Sequence, residues 1–75
     1  MPGKTLADLK RNPRDVTYAE LRRILEDHGW AVREGTRHGA IAHKRDRTFA
    51  FPRPKRSRLL AVYVRRAIQV IEEED

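Results

Sequence analysis

Proton-transfer chemistry near neutral pH, without a shifted pKa, needs histidine, and this chain has three: His28, His38 and His43. Cysteine is absent, which excludes thiolate nucleophiles, disulfides and thiolate metal sites. The histidine spacings match no ligand motif and no carboxylate accompanies them, so neither a metal nor another cofactor is expected. His28 falls in a helical pattern and His43 reads as a structural or edge residue. His38 is therefore the candidate for chemistry, although a strand histidine taken alone is more often an ordinary surface or core-edge residue.

The second chemical signal is charge. The 17 Lys and Arg against 11 Asp and Glu give a formal +6 and a pI near 10.5. Residues 31–58 hold nine of the bases (Arg33, Arg37, Lys44, Arg45, Arg47, Arg53, Lys55, Arg56, Arg58) and two of the acids (Glu34, Asp46). The rest of the chain is close to neutral. Clustered arginine suits phosphate, because the guanidinium fork matches phosphate oxygens. A solvated charged face is the plainer reading, but this clustering makes nucleic acid the leading partner. Arg37, Lys44, Arg47, Arg53, Lys55 and Arg56 are the candidate phosphate contacts.

These residues need a frame. At 75 residues the chain is one domain, near the size where a single core supplies only about 3–5 kcal/mol. No apolar run approaches a membrane span and the N-terminus carries no signal-like apolar region, so a soluble, cytoplasmic protein is expected, a monomer or small oligomer. Residues 1–15 read as a flexible or loosely packed arm with one helical turn near Thr5–Lys10, ended by Asn12-Pro13. Residues 16–75 read as a single α+β domain.

Within it, Thr17-x-x-Glu20 is a capping box, and Val16 and Leu21 have the spacing of a hydrophobic staple. Leu21, Ile24, Leu25 and His28 recur at helical spacing up to Gly29, a C-cap residue, so a helix is expected over 17–28. Trp30–Glu34 alternates as a strand with Trp30 and Val32 inward. Gly35-Thr36 turns into a second strand, His38–Lys44, with Ile41 inward and His38, Ala40, Ala42 and Lys44 outward. Thr48–Phe51 is a third strand with Phe49 and Phe51 inward. Pro52–Arg56 reads as a loop, because its prolines cannot donate to a ladder. Ser57 caps a final helix to about Glu73, with Leu60, Val64, Ala67, Ile68 and Ile71 as core stripe and an acidic end that opposes the macrodipole. The expected order is α-β-β-β-α, a three-stranded antiparallel sheet with two helices on one face.

An ordered set of residues then resembles a known family. Asn12-Pro13, Val16, Leu21-x-x-x-Leu25-x-x-x-Gly29-Trp30, a second-strand histidine, a proline after the third strand, and Tyr63-Val64-Arg65 leading to Ile71-Glu72-Glu73 are similar to the HicA toxins. The resemblance covers about residues 11–74. It implies a fold like a double-stranded-RNA-binding domain, activity as an mRNA interferase, and a HicB-like antitoxin partner that masks the active-site histidine. In that family a Gly-Ser-His motif opens the second strand; here the aligned residues are Thr36-Arg37-His38. The histidine is kept, the glycine and serine are not.

By this resemblance His38 is the catalytic residue. Metal-independent RNA cleavage needs a base for the ribose 2′-OH, an acid for the leaving 5′-oxygen and cations for the developing charge. His38 can serve either proton role, with the basic residues on the phosphates. The alternative is a non-catalytic RNA-binding module on the same fold, a degenerate toxin that binds without cutting.

Overall fold

A computed structural model of the chain describes residues 4–34, 39–52 and 58–73. The elements are α1 (Leu6–Arg11), α2 (Tyr18–Asp27), β1 (Ala31–Arg33), β2 (Gly39–Lys44), β3 (Arg47–Pro52) and α3 (Ala61–Glu73). The strands form one antiparallel sheet in the order β1-β2-β3, so the expected α+β arrangement holds, with α1 as a short additional helix.

Helix α2 forms where its end signals place it. The Thr17 hydroxyl accepts from the Glu20 N–H at 3.2 Å, and the Glu20 carboxylate accepts from the Thr17 N–H at 2.9 Å. Such a box is worth about 1 kcal/mol and fixes the first turn. Leu21, Ile24 and Leu25 then face inward, together with Val16 before the cap. At the other end Gly29 takes φ +90°, a conformation that strains any residue with a Cβ. The chain reverses there, and Trp30 N–H closes on the Leu25 carbonyl at 2.9 Å.

In the N-terminal segment, expected as a flexible or loosely packed arm, Leu9 is buried in the core and Leu6 packs against it. Thr5 and Asp8 make a second capping box, which starts α1, and Leu9 is fully buried. Lys10 reaches Glu72 of α3 at 2.6 Å, while Lys4 pairs with Asp15 and Glu20. Leu9 at the right helical phase, with Leu6 beside the core and Lys10 on Glu72, docks six residues of helix, a tertiary effect that composition does not reveal.

The sheet turns Trp30, Val32, Phe49 and Phe51 toward the helices as expected, with the Phe49 and Phe51 rings stacked at 5.4 Å. Strand β2 faces the opposite way from its expected phase. Ala40 and Ala42 are buried, Ile41 is half-buried on the open side, and His43 is exposed. The register explains the reversal: Ala42 lies between Val32 and Phe49, and Ala40 is opposite Phe51. The outer strands supply the bulk, and the central strand must be small on that face for the layers to close. The inference that His38 points away from the core rests on an inward Ile41 and loses that support.

Two boundaries also differ. Pro52 belongs to β3, opposite Gly39, rather than to the loop. Helix α3 begins at Ala61 instead of 57, because Leu59 is drawn into the core by its N–H bond to the Val16 carbonyl at 2.8 Å. Leu60 therefore lies before the first helical turn and is 68% exposed, whereas Leu59 is 3% exposed. The rest of the α3 stripe (Val64, Ala67, Ile68, Ile71) is buried as its spacing predicts.

Candidate nucleic-acid surface

His38 and Arg37 lie outside the described residues, as do the Gly35-Thr36 turn and Arg53, Lys55, Arg56 and Ser57. The candidate phosphate contacts within the described residues are Lys44 and Arg47, and both are engaged inside the molecule. Lys44 Nζ donates to the His28 carbonyl at 2.9 Å, at the C-terminal end of α2, and its side chain runs alongside Gly29. That is the favourable place for a cation on a helix dipole. Arg47 pairs with Glu73 of α3. The Arg47 guanidinium holds the Glu73 carboxyl below its usual range against a smaller opposing effect of burial, so the acidic helix end is compensated by a cation from the sheet.

The same pairing takes up most of the other carboxylates. Asp15 bonds Arg58 at 2.6 Å, and this bond, with Lys4 nearby, lowers its pKa. Glu34 accepts from Arg22 at 2.8 Å and from the Tyr18 hydroxyl at 2.7 Å. Burial first, and the hydrogen bond to Glu34 second, push the Tyr18 phenol up. What remains is informative. Arg33, Arg45, Arg65 and Arg66 are exposed and have no carboxylate partner. Arg33 and Arg45 thus lie free on the sheet side and Arg65 and Arg66 on α3, while Arg14, between α1 and α2, and Arg23, on α2, are exposed without a carboxylate partner as well. Sequence reasoning counted Arg33 and Arg45 in the basic segment without a particular role, named Arg65 only in the family resemblance, and passed over Arg66. Only the pairing pattern separates them from Lys44 and Arg47.

Ala31, Arg33, Gly39, Ile41, His43, Thr48 and Ala50 share the open face of the sheet, since cross-strand partners point the same way. His43 stands between Ala31 and Thr48, and Arg33 is opposite Ile41. A surface of small residues with a projecting arginine can approach a phosphate backbone closely; among the described residues its exposed ring is His43, while Trp30, Phe49 and Phe51 are buried on the other side. Among the described residues no cluster of three His, Asp or Glu side chains can hold a metal ion, and no helix is long and apolar enough to cross a membrane.

No family model matches the sequence, and neither a curated protein nor a solved structure matches the chain.

Proposed function

We propose that this protein is a HicA-like RNA endonuclease toxin, acting in the cytoplasm and held in check by a HicB-like antitoxin. The observation that carries the reading is the charge left over after folding. Internal ion pairs consume Arg47 and Arg58, and a backbone carbonyl takes Lys44, yet Arg33 and Arg45 stay exposed and unpaired in the basic segment that contains His38. The α-β-β-β-α order supports it, as does the ordered set of residues shared with the HicA toxins.

In this reading the phosphate backbone of RNA lies along the basic surface, and His38 takes a proton from the ribose 2′-OH or gives one to the leaving 5′-oxygen. The 2′-oxygen attacks phosphorus, the P–O5′ bond breaks, and a cyclic phosphate and a free 5′-OH result. Histidine in such a role contributes about 10²–10⁴-fold. Contact through backbone and 2′-OH gives little sequence preference.

Induced expression of the wild type beside His38→Ala, with growth and total mRNA integrity as readouts, tests the proposal. Growth arrest with mRNA loss, abolished in a folded His38→Ala variant, is the expected result. Thr36-Arg37 in place of Gly-Ser favours one other reading, a binding module that does not cut. Salt-dependent RNA binding by both proteins, without arrest or mRNA loss in either, would establish that reading instead.

A further inference from the structure

Strand β3 is an outer strand of the sheet. Lys44 and Arg47 close a two-residue turn in which Arg45 has φ 58°, the signature of a primed hairpin turn. In such a hairpin the closing pair exchanges hydrogen bonds, and bonded and non-bonded pairs then alternate along the ladder. Phe49 and Phe51 accordingly bond to Ala42 and Ala40, while Thr48, Ala50 and Pro52 turn their main-chain groups outward. Pro52 occupies an outward position, where its missing N–H costs no ladder bond. The outward N–H and C=O groups of Thr48 and Ala50 take no other partner.

This edge forms one wall of a groove whose other wall is α3. Two cavities of 320 and 440 Å³ run along it and share Ala50. Tyr63 lines the first, Arg66 and Val70 the second, and their spacing puts all three on one face of the helix. Glu73 at the far end is engaged by Arg47 and Gln69, so the uncompensated charge in the groove is that of Arg66.

We propose that the β3–α3 groove binds an extended acidic segment of a partner protein by strand addition. The segment's main chain pairs with Thr48 and Ala50. Alternate side chains point to α3, an apolar one against Tyr63 or Val70 and a carboxylate on Arg66. A second copy of this chain fits less well, because a two-fold axis through Ala50 would bring the two Arg66 side chains together. The proposal is independent of cleavage and stands whether or not His38 acts.

The test uses the full chain, 15N-labelled, with a capped seven-residue peptide alternating valine and glutamate as probe. The expected result is an amide shift and at least tenfold slower hydrogen exchange at Thr48 and Ala50. Arg66→Glu, an exposed helix substitution whose fold is checked by circular dichroism, should weaken the glutamate peptide at least fivefold and favour a valine–lysine one. Unchanged exchange at both amides with millimolar peptide would overturn the proposal, as would equal binding of the lysine peptide to the wild type. Protection that grows with protein concentration alone would assign the edge to a second copy. Stronger protection of the same amides by an RNA oligonucleotide would assign it to nucleic acid.

Discussion

Lys44 and Arg33 show how little a residue's type says about its job. Both are cations in the same basic segment, yet Lys44 closes the end of α2 and Arg33 is left exposed. Lys44→Met should cost about 1 kcal/mol of stability, through the lost carbonyl bond and dipole interaction, and leave the salt slope of RNA binding unchanged. Arg33→Gln should do the reverse: stability within about 0.5 kcal/mol of wild type, with the slope of log K against log salt reduced by about one. Urea titrations and binding isotherms at several salt concentrations separate the two. The carboxylates have their own signature. Asp15 and Glu73 have depressed pKa values in the folded state, from Arg58 and Arg47 respectively, so the unfolded chain binds more protons as pH falls. Their contribution is present above the unfolded values of 3.8 and 4.5 and is lost as pH drops through the folded ones. The urea midpoint should therefore fall below about pH 4.5, and Asp15→Asn with Glu73→Gln should flatten that fall.

At the scale of elements, the helices and the sheet are held by different means. Helices α1 and α2 carry their own start signals, and α1, at six residues, docks chiefly through Leu9, with Leu6 packed beside the core and Lys10 on Glu72. Leu9→Ala should cost about 2–5 kcal/mol and release α1, read as increased amide exchange over Leu6–Arg11. The β2–β3 pair depends on close approach instead. A Cβ on Gly39 would stand 2.4 Å from the Phe51 carbonyl oxygen, a backbone atom that cannot step aside. Gly39→Ala should cost about 1–3 kcal/mol and displace β3 at Pro52, seen as shifts across both strands. If His38 cleaves RNA as proposed, the same substitution, directly after it, should lower that cleavage more than its effect on stability accounts for.

For the whole molecule the central fact is how charge is distributed after folding. Carboxylates from the N-terminal segment, α2, the strand that follows it and α3 each engage cations of other elements, so ion pairs lace the termini to the body and leave the surplus positive. Exposed pairs of this kind are worth little individually, about 0–1 kcal/mol each, and are screened by salt. Their larger effect is to decide which arginines remain for a ligand. If the protein binds RNA as proposed, that binding should weaken steeply between low and physiological salt, while the unfolding midpoint changes little.

Much of the fold was legible before any coordinates. The Thr17–Glu20 capping box, the staple, the α3 stripe from Val64 on and the Phe49/Phe51 alternation are local, and local chemistry decides them. The phase of β2 was not legible, because Gly-Ala-Ile-Ala-His-Lys alternates equally well both ways, and only the bulk of Val32, Phe49 and Phe51 in neighbouring strands forces the alanines inward. The start of α3 was misread for a related reason: Leu59 and Leu60 are identical in type, and the bond to Val16, 43 residues away, chooses between them. The same division runs through the candidate surface. The sequence by itself determined that one segment is strongly basic and that it carries two of the three histidines, His38 and His43. Which cations pair inward and which remain for a ligand, and that β3 keeps a free edge beside α3, were decided by tertiary structure, because each depends on contacts between residues far apart along the chain.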